Sequence, residues 1–171
     1  MSVIEQTNEG LANADVYCSV DRADAWLSTS RIYTKWEAKE TDEKEKLLLL
    51  ATSYLDSYYV WYGAAVLPAP SLRWPRTKIY DLDNRLLAGI PVEIRYSCAE
   101  IALYFMTNDP FSDSSSFGIE NIELDVIKIK FDSSVSQKVK LPQSVLNRLS
   151  PYGYPIGSIG ASRRSGKVIA S

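Results

Sequence analysis

TDEKEKLLLLATSYLDSYYVWY, residues 41–62, carries its apolar side chains at helical spacing. Leu47, Leu50, Ala51, Tyr54, Leu55, Tyr58, Trp61 and Tyr62 recur at three- and four-residue steps, so one face of a long helix is apolar. Leu48 and Leu49 widen that face near its start. Thr41 is placed to cap the helix, Asp42 and Glu43 sit where the helix dipole favours negative charge, and Gly63 stops it. The mixed charges from Lys35 to Lys46 read as a solvated surface.

Upstream, Ser19 caps a short helix over SVDRADAWLSTS (19–30), with Val20, Ala23, Trp26 and Leu27 on one face. Residues 1–18 are polar and read as a flexible N-terminal segment. Downstream, Pro68, Pro70 and Pro75 forbid a continuous helix between residues 63 and 90. Asp81–Asn84 reads as a turn, and Ile90-Pro91 opens a second strong helix that buries Ile94, Cys98, Ile101, Ala102 and Phe105 before Asn108-Asp109-Pro110 ends it.

A Ser-rich loop (112–118) separates this helical core, residues 19–110, from a β-hairpin plus short helix at 119–150. Ile122, Leu124 and Val126 alternate with polar residues, and Ile127, Ile129 and Phe131 continue one residue out of step, a pattern of a bulge or a change of face. Val135, Val139 and Leu141 make the returning strand, and Pro142 starts a helix over Val145, Leu146 and Leu149. Residues 151–171, with Gly153, Gly157, Gly160 and Gly166, lack the side chains for a core and read as an extended C-terminal arm. The expected fold is mainly α: a small helical bundle with a C-terminal β-hairpin and an extended C-terminal arm.

The 171 residues include no histidine, which removes the commonest acid/base group and metal ligand near neutral pH. Cys18 and Cys98 are too few and too far apart for a zinc site and read as small buried apolar residues. Gly160–Val168 has five residues between its glycines and Val after Lys167, so it is no phosphate loop. Asp81 with Asp83 and Glu120 with Glu123 read as turn and surface carboxylates. No serine has a base at a suggestive spacing. The expectation is a protein that is not an enzyme, with no catalytic residues, no metal and no cofactor. No segment reaches the length of a membrane span, and the start lacks the features of a signal peptide, so an intracellular product is expected.

Charge is unevenly spread. Residues 133–171 hold Lys138, Lys140, Arg148, Arg163, Arg164 and Lys167 and no acid, which leaves 13 of the 19 basic residues against all 21 acidic ones in residues 1–132. A basic tail suits an acidic partner or nucleic acid, whereas the acidic body argues against wrapping DNA. Arg73-Trp74-Pro75-Arg76 puts an indole between two guanidinium groups. It reads either as a stacking site for a nucleobase or, in preference, as the anchor of an irregular loop on the helical core.

The order of Trp26, Trp36, Lys44-Glu45-Lys46, Ala51-Thr52-Ser53-Tyr54-Leu55-Asp56, Trp61-Tyr62-Gly63, Leu72-Arg73-Trp74-Pro75-Arg76, Ile90-Pro91 and Ala99-Glu100 with Ala102 resembles the head-to-tail adaptor proteins of tailed bacteriophages, a family also labelled primosome-protein-like. The resemblance covers residues 17–108 well and continues loosely to Leu149. It implies a structural virion protein, made in the host cytoplasm, in a homo-oligomeric ring of usually twelve copies. The ring would sit in the neck between the portal protein and the next tail component, passing DNA through its channel without specific binding. On this reading Arg163, Arg164, Lys167, Val168 and Ile169 dock the arm on the portal. The rival reading is a single-stranded DNA-binding replication accessory protein that uses Arg73, Trp74, Arg76 and the basic tail.

Overall fold

The structure is a computed structural model that describes residues 2–31, 33–68, 70–81, 83–108 and 141–156. Among them it is mainly α, with helices α1 (Val20–Leu27), α2 (Tyr33–Glu37), α3 (Thr41–Tyr58), α4 (Val92–Phe105) and α5 (Gln143–Leu149), and short strands β1 (Tyr59–Trp61), β2 (Ala64–Ala65), β3 (Arg76–Thr77) and β4 (Gly153–Pro155). The expected hairpin between residues 119 and 141, and the arm residues Arg163, Arg164, Lys167, Val168 and Ile169, lie outside the described residues.

The apolar stripes read from the sequence meet at the centre. α4 packs on α3, α1 and α5. Leu48, Ala51, Leu55, Ile94, Cys98 and Ile101 are completely enclosed there, Tyr54 and Phe105 nearly so, and Leu47 and Tyr58 pack on the margin. Each large aliphatic group buried in this way contributes about 1.5–3 kcal/mol. α4 is apolar nearly all round because it has neighbours on several sides, the pattern of a central helix.

Three expectations change. First, α3 stops at Tyr58, and Tyr59–Trp61 turns extended to pair antiparallel with β4, with Val60 opposite Tyr154. The first residues of the expected arm therefore belong to the body. Neither Ser19 nor Thr41 makes a side-chain cap; Glu40 stands at the cap position of α3, and Lys44 donates its backbone N–H to the Glu40 carbonyl.

Second, the charged run from Lys35 to Lys46 takes in the end of α2, whose Trp36 is fully buried. Its indole N–H donates to Asp24 at 2.6 Å, and the same carboxylate receives the ammonium of Lys44, which lies 5.8 Å from the Trp36 ring. A buried lysine persists because carboxylate and ring replace its lost hydration.

Third, the N-terminal segment is not loose. Arg95 of α4 reaches out of the core and donates to the Tyr17 carbonyl at 2.9 Å and the Gln6 carbonyl at 3.0 Å, while pairing with Glu5. The Gln6 side chain, itself 1% exposed, accepts from the Leu11 N–H and donates to the Leu11 carbonyl. Backbone groups with no helix or sheet partner are satisfied by side chains instead.

Candidate nucleic-acid interface

The loop after β2 begins the site. Trp74 is fully buried, edge-on to Trp61 at 5.8 Å and to Tyr152 at 6.2 Å, and the Trp74–Pro75 peptide is cis. Its backbone N–H donates to the Tyr17 hydroxyl, which donates in turn to Asp56; the Arg73 N–H donates to the other Asp56 oxygen at 3.0 Å. Trp74 is thus the loop's anchor, and no face of its ring is open to stack a base.

Its two neighbours behave differently. Arg76 is half-buried, and its guanidinium forks onto three backbone carbonyls: Tyr62 at 2.6 Å, Gly63 at 2.8 Å and Arg73 at 3.2 Å. Arg73 is exposed, and its guanidinium makes no hydrogen bond or ion pair to a described residue. The sequence pairs the two arginines symmetrically about Trp74, but the fold gives them different environments.

The β1–β4 ribbon forms the adjoining surface. Tyr59 and Trp61 point inward; Val60 and Tyr62 point outward and are 39% and 42% exposed. Across the ribbon Tyr154 lies opposite Val60, with its ring 5.9 Å from that of Tyr62, and Ile156 beyond it is 43% exposed. Gly153 is required in β4, because a Cβ there would meet the Val60 carbonyl at 2.5 Å. Between ribbon and loop runs a cleft of about 770 Å³ bordered by Val60, Ile156, Leu72, Arg73, Arg76 and Asp56. Burial raises the Asp56 carboxyl above the ordinary range, against the hydrogen bonds and arginines that would lower it.

This surface has an apolar-aromatic face, a guanidinium at its edge that makes no hydrogen bond or ion pair to a described residue, and a second guanidinium locked beneath it. Such a combination takes flat π-systems on its face and an anion at its rim. The sequence marked Arg73 and Arg76 but assigned Tyr62 to a helix end and Tyr154 to an arm; only strand register brings them together. Among the described residues there is no cluster of side chains suited to hold a metal ion, and no helix is long and apolar enough to cross a membrane.

Fold and site together define a small helical protein with an arginine-edged aromatic ribbon. The chain belongs to the family described as "Putative DnaT-like ssDNA binding protein", which it matches over residues 1–165. No curated protein and no solved structure matches it.

This match corrects the expected membership of the bacteriophage head-to-tail adaptors, and with it the virion role, the twelve-fold ring, the portal and tail partners, and the passage of DNA without binding. The reason is physical. Many of the residues that carried that resemblance, among them Trp36, Ala51, Tyr54, Leu55, Trp61, Trp74, Ala99 and Ala102, are buried. They specify a hydrophobic framework, and a framework does not name its partner.

Proposed function

We propose that this protein binds single-stranded DNA on the outer face of the β1–β4 ribbon and in the cleft beside it, as a non-catalytic accessory to replication. The observation that carries the reading is the exposed Tyr62 and its neighbour Tyr154 on the ribbon whose Val60 and Ile156 border the same cleft as Arg73, a guanidinium with no hydrogen bond or ion pair to a described residue. The family's description supports the same ligand. Single strands expose the faces of their bases, and base–aromatic stacking tolerates any sequence. The net charge of −2 does not oppose this, because attraction at a cleft is set by the local arginines rather than by the whole chain.

The test is fluorescence anisotropy with a labelled oligothymidylate. Tyr62→Ala and Tyr154→Ala should each weaken binding by roughly tenfold, within the 1–3 kcal/mol that one base–aromatic contact contributes. Duplex of the same length should compete poorly. Equal competition by duplex, or tyrosine variants that bind as the parent does, would remove the ribbon from the reading.

A further inference from the structure

We propose that the cleft has one phosphodiester seat, at Arg73, and that Arg76 contacts no phosphate but positions the seat and the stacking face together. The inference rests on the single-strand reading above.

The two guanidinium groups differ in what they have left to give. Arginine has five N–H donors in a rigid fork. Arg76 engages three of them, one on each nitrogen, with the carbonyls of Tyr62, Gly63 and Arg73. Those carbonyls belong to the two edges of the site. Tyr62 carries the exposed ring, and Arg73 carries a guanidinium with no hydrogen bond to a described residue. One planar group therefore fixes the spacing between the place where a base lies and the place where its phosphate is neutralised.

Gly63 completes the clasp. It adopts φ +70°, and a Cβ there would meet the Thr77 carbonyl at 2.2 Å, so the chain can bring the Gly63 carbonyl to Arg76 only without a side chain at this position. Among the described residues Arg73 makes its hydrogen bonds through its backbone, by the N–H to Asp56 and the carbonyl to Arg76. Its side chain stays available to an anion. A lysine has charge enough for a phosphate but cannot reproduce a three-way planar fork, so lysine substitution separates the two roles.

The experiment measures oligothymidylate affinity of the full chain across a salt series, with melting followed by circular dichroism. Each phosphate neutralised on a single strand contributes about 0.7 to the slope of log affinity against log salt. Arg73→Gln should reduce the slope by that amount and leave melting unchanged; Arg73→Lys should keep both. Arg76→Lys should leave the slope unaltered and shift the line down in parallel by about tenfold, comparable to losing one base–aromatic contact.

An unchanged slope in Arg73→Gln overturns the phosphate seat. A slope reduced by one phosphate in a normally melting Arg76→Gln overturns the division of roles. If Arg76→Lys fails to fold, the Arg73→Gln line decides: a slope lower by about 0.7 keeps the single seat, and an unchanged slope overturns it. A parent chain that does not bind oligothymidylate at low salt defeats the functional reading itself, whereas binding with the wrong slopes defeats only this inference.

Discussion

The backbone N–H of Trp74 donates to the hydroxyl of Tyr17 at 3.2 Å, across 57 residues of sequence, and that hydroxyl donates its own hydrogen bond to Asp56. One phenol thus ties the N-terminal segment, the end of α3 and the arginine loop. Tyr17→Phe keeps the ring and removes the hydroxyl, leaving a buried N–H and a carboxylate oxygen without their partner. The expected cost is about 1–3 kcal/mol, read as a lower urea midpoint with an unchanged slope. A variant as stable as the parent would show that the relay is not what holds the loop.

Asp56 gives the stability a defined pH dependence. Burial raises its carboxyl above the ordinary 3.8, so the folded chain holds that proton more tightly than the unfolded chain does. Its contribution is therefore complete below the unfolded value and declines as pH rises through the folded value. Asp81 and Asp42 are shifted the other way, by the N–H groups and side chain of Arg85 and by Lys46, so the whole protein mixes both signs. The difference in urea stability between parent and Asp56→Asn isolates the Asp56 part. It should move in favour of Asn as pH rises from below the unfolded value through the folded one; a difference that is flat with pH would contradict the assignment.

What the sequence disclosed and what it hid follow from the range of the interactions. The stripes of α3 and α4 are local, repeating within a turn or two, and Leu55, Ile94 and Ile101 are all in the core. The strand at Tyr59–Trp61 is not local. Tyr-Val-Trp continues the helical phase of α3, and only β4, some ninety residues on, draws it into extended form. The ordered N-terminal segment was hidden for a similar reason: Gln6 and Glu5 are polar, and they are fixed by an arginine on α4 rather than by any pattern of their own. Trp36 sat in a charged run that looked solvated, although a tryptophan within reach of Asp24 was a signal of a buried indole with an acceptor. The candidate site was half legible. Its arginines stood out as a motif, while its tyrosines needed the register that pairs Val60 with Tyr154.

The cysteines should be inert in the native protein. Both are free and fully buried, and burial pushes the Cys98 thiol up to about 12 and raises Cys18 as well. The thiolate is the reactive species, so a disulfide-exchange dye at mildly alkaline pH should label neither residue in buffer and both in denaturant. Rapid native labelling would mean that the α3–α4 core opens more readily than its packing implies.

Arg95 is the last and most consequential of these residues. It is 7% exposed on the central helix, and it satisfies the Tyr17 and Gln6 carbonyls together with the Glu5 carboxylate. Arg22, at 2.8 Å from the same Glu5 oxygen, is nearly half exposed. Two arginines on one carboxylate thus offer a comparison in which charge is constant and burial varies. Arg22→Gln loses a solvated pair and should cost under about 1 kcal/mol. Arg95→Met removes a buried guanidinium and strands two carbonyls, and should cost roughly 3 kcal/mol or more. It should also free residues 2–18, so limited proteolysis ought to cut there in Arg95→Met and spare Arg22→Gln. Equal stability losses in the two variants would mean that net attraction to Glu5, not the anchoring of the segment's backbone, is what Arg95 supplies.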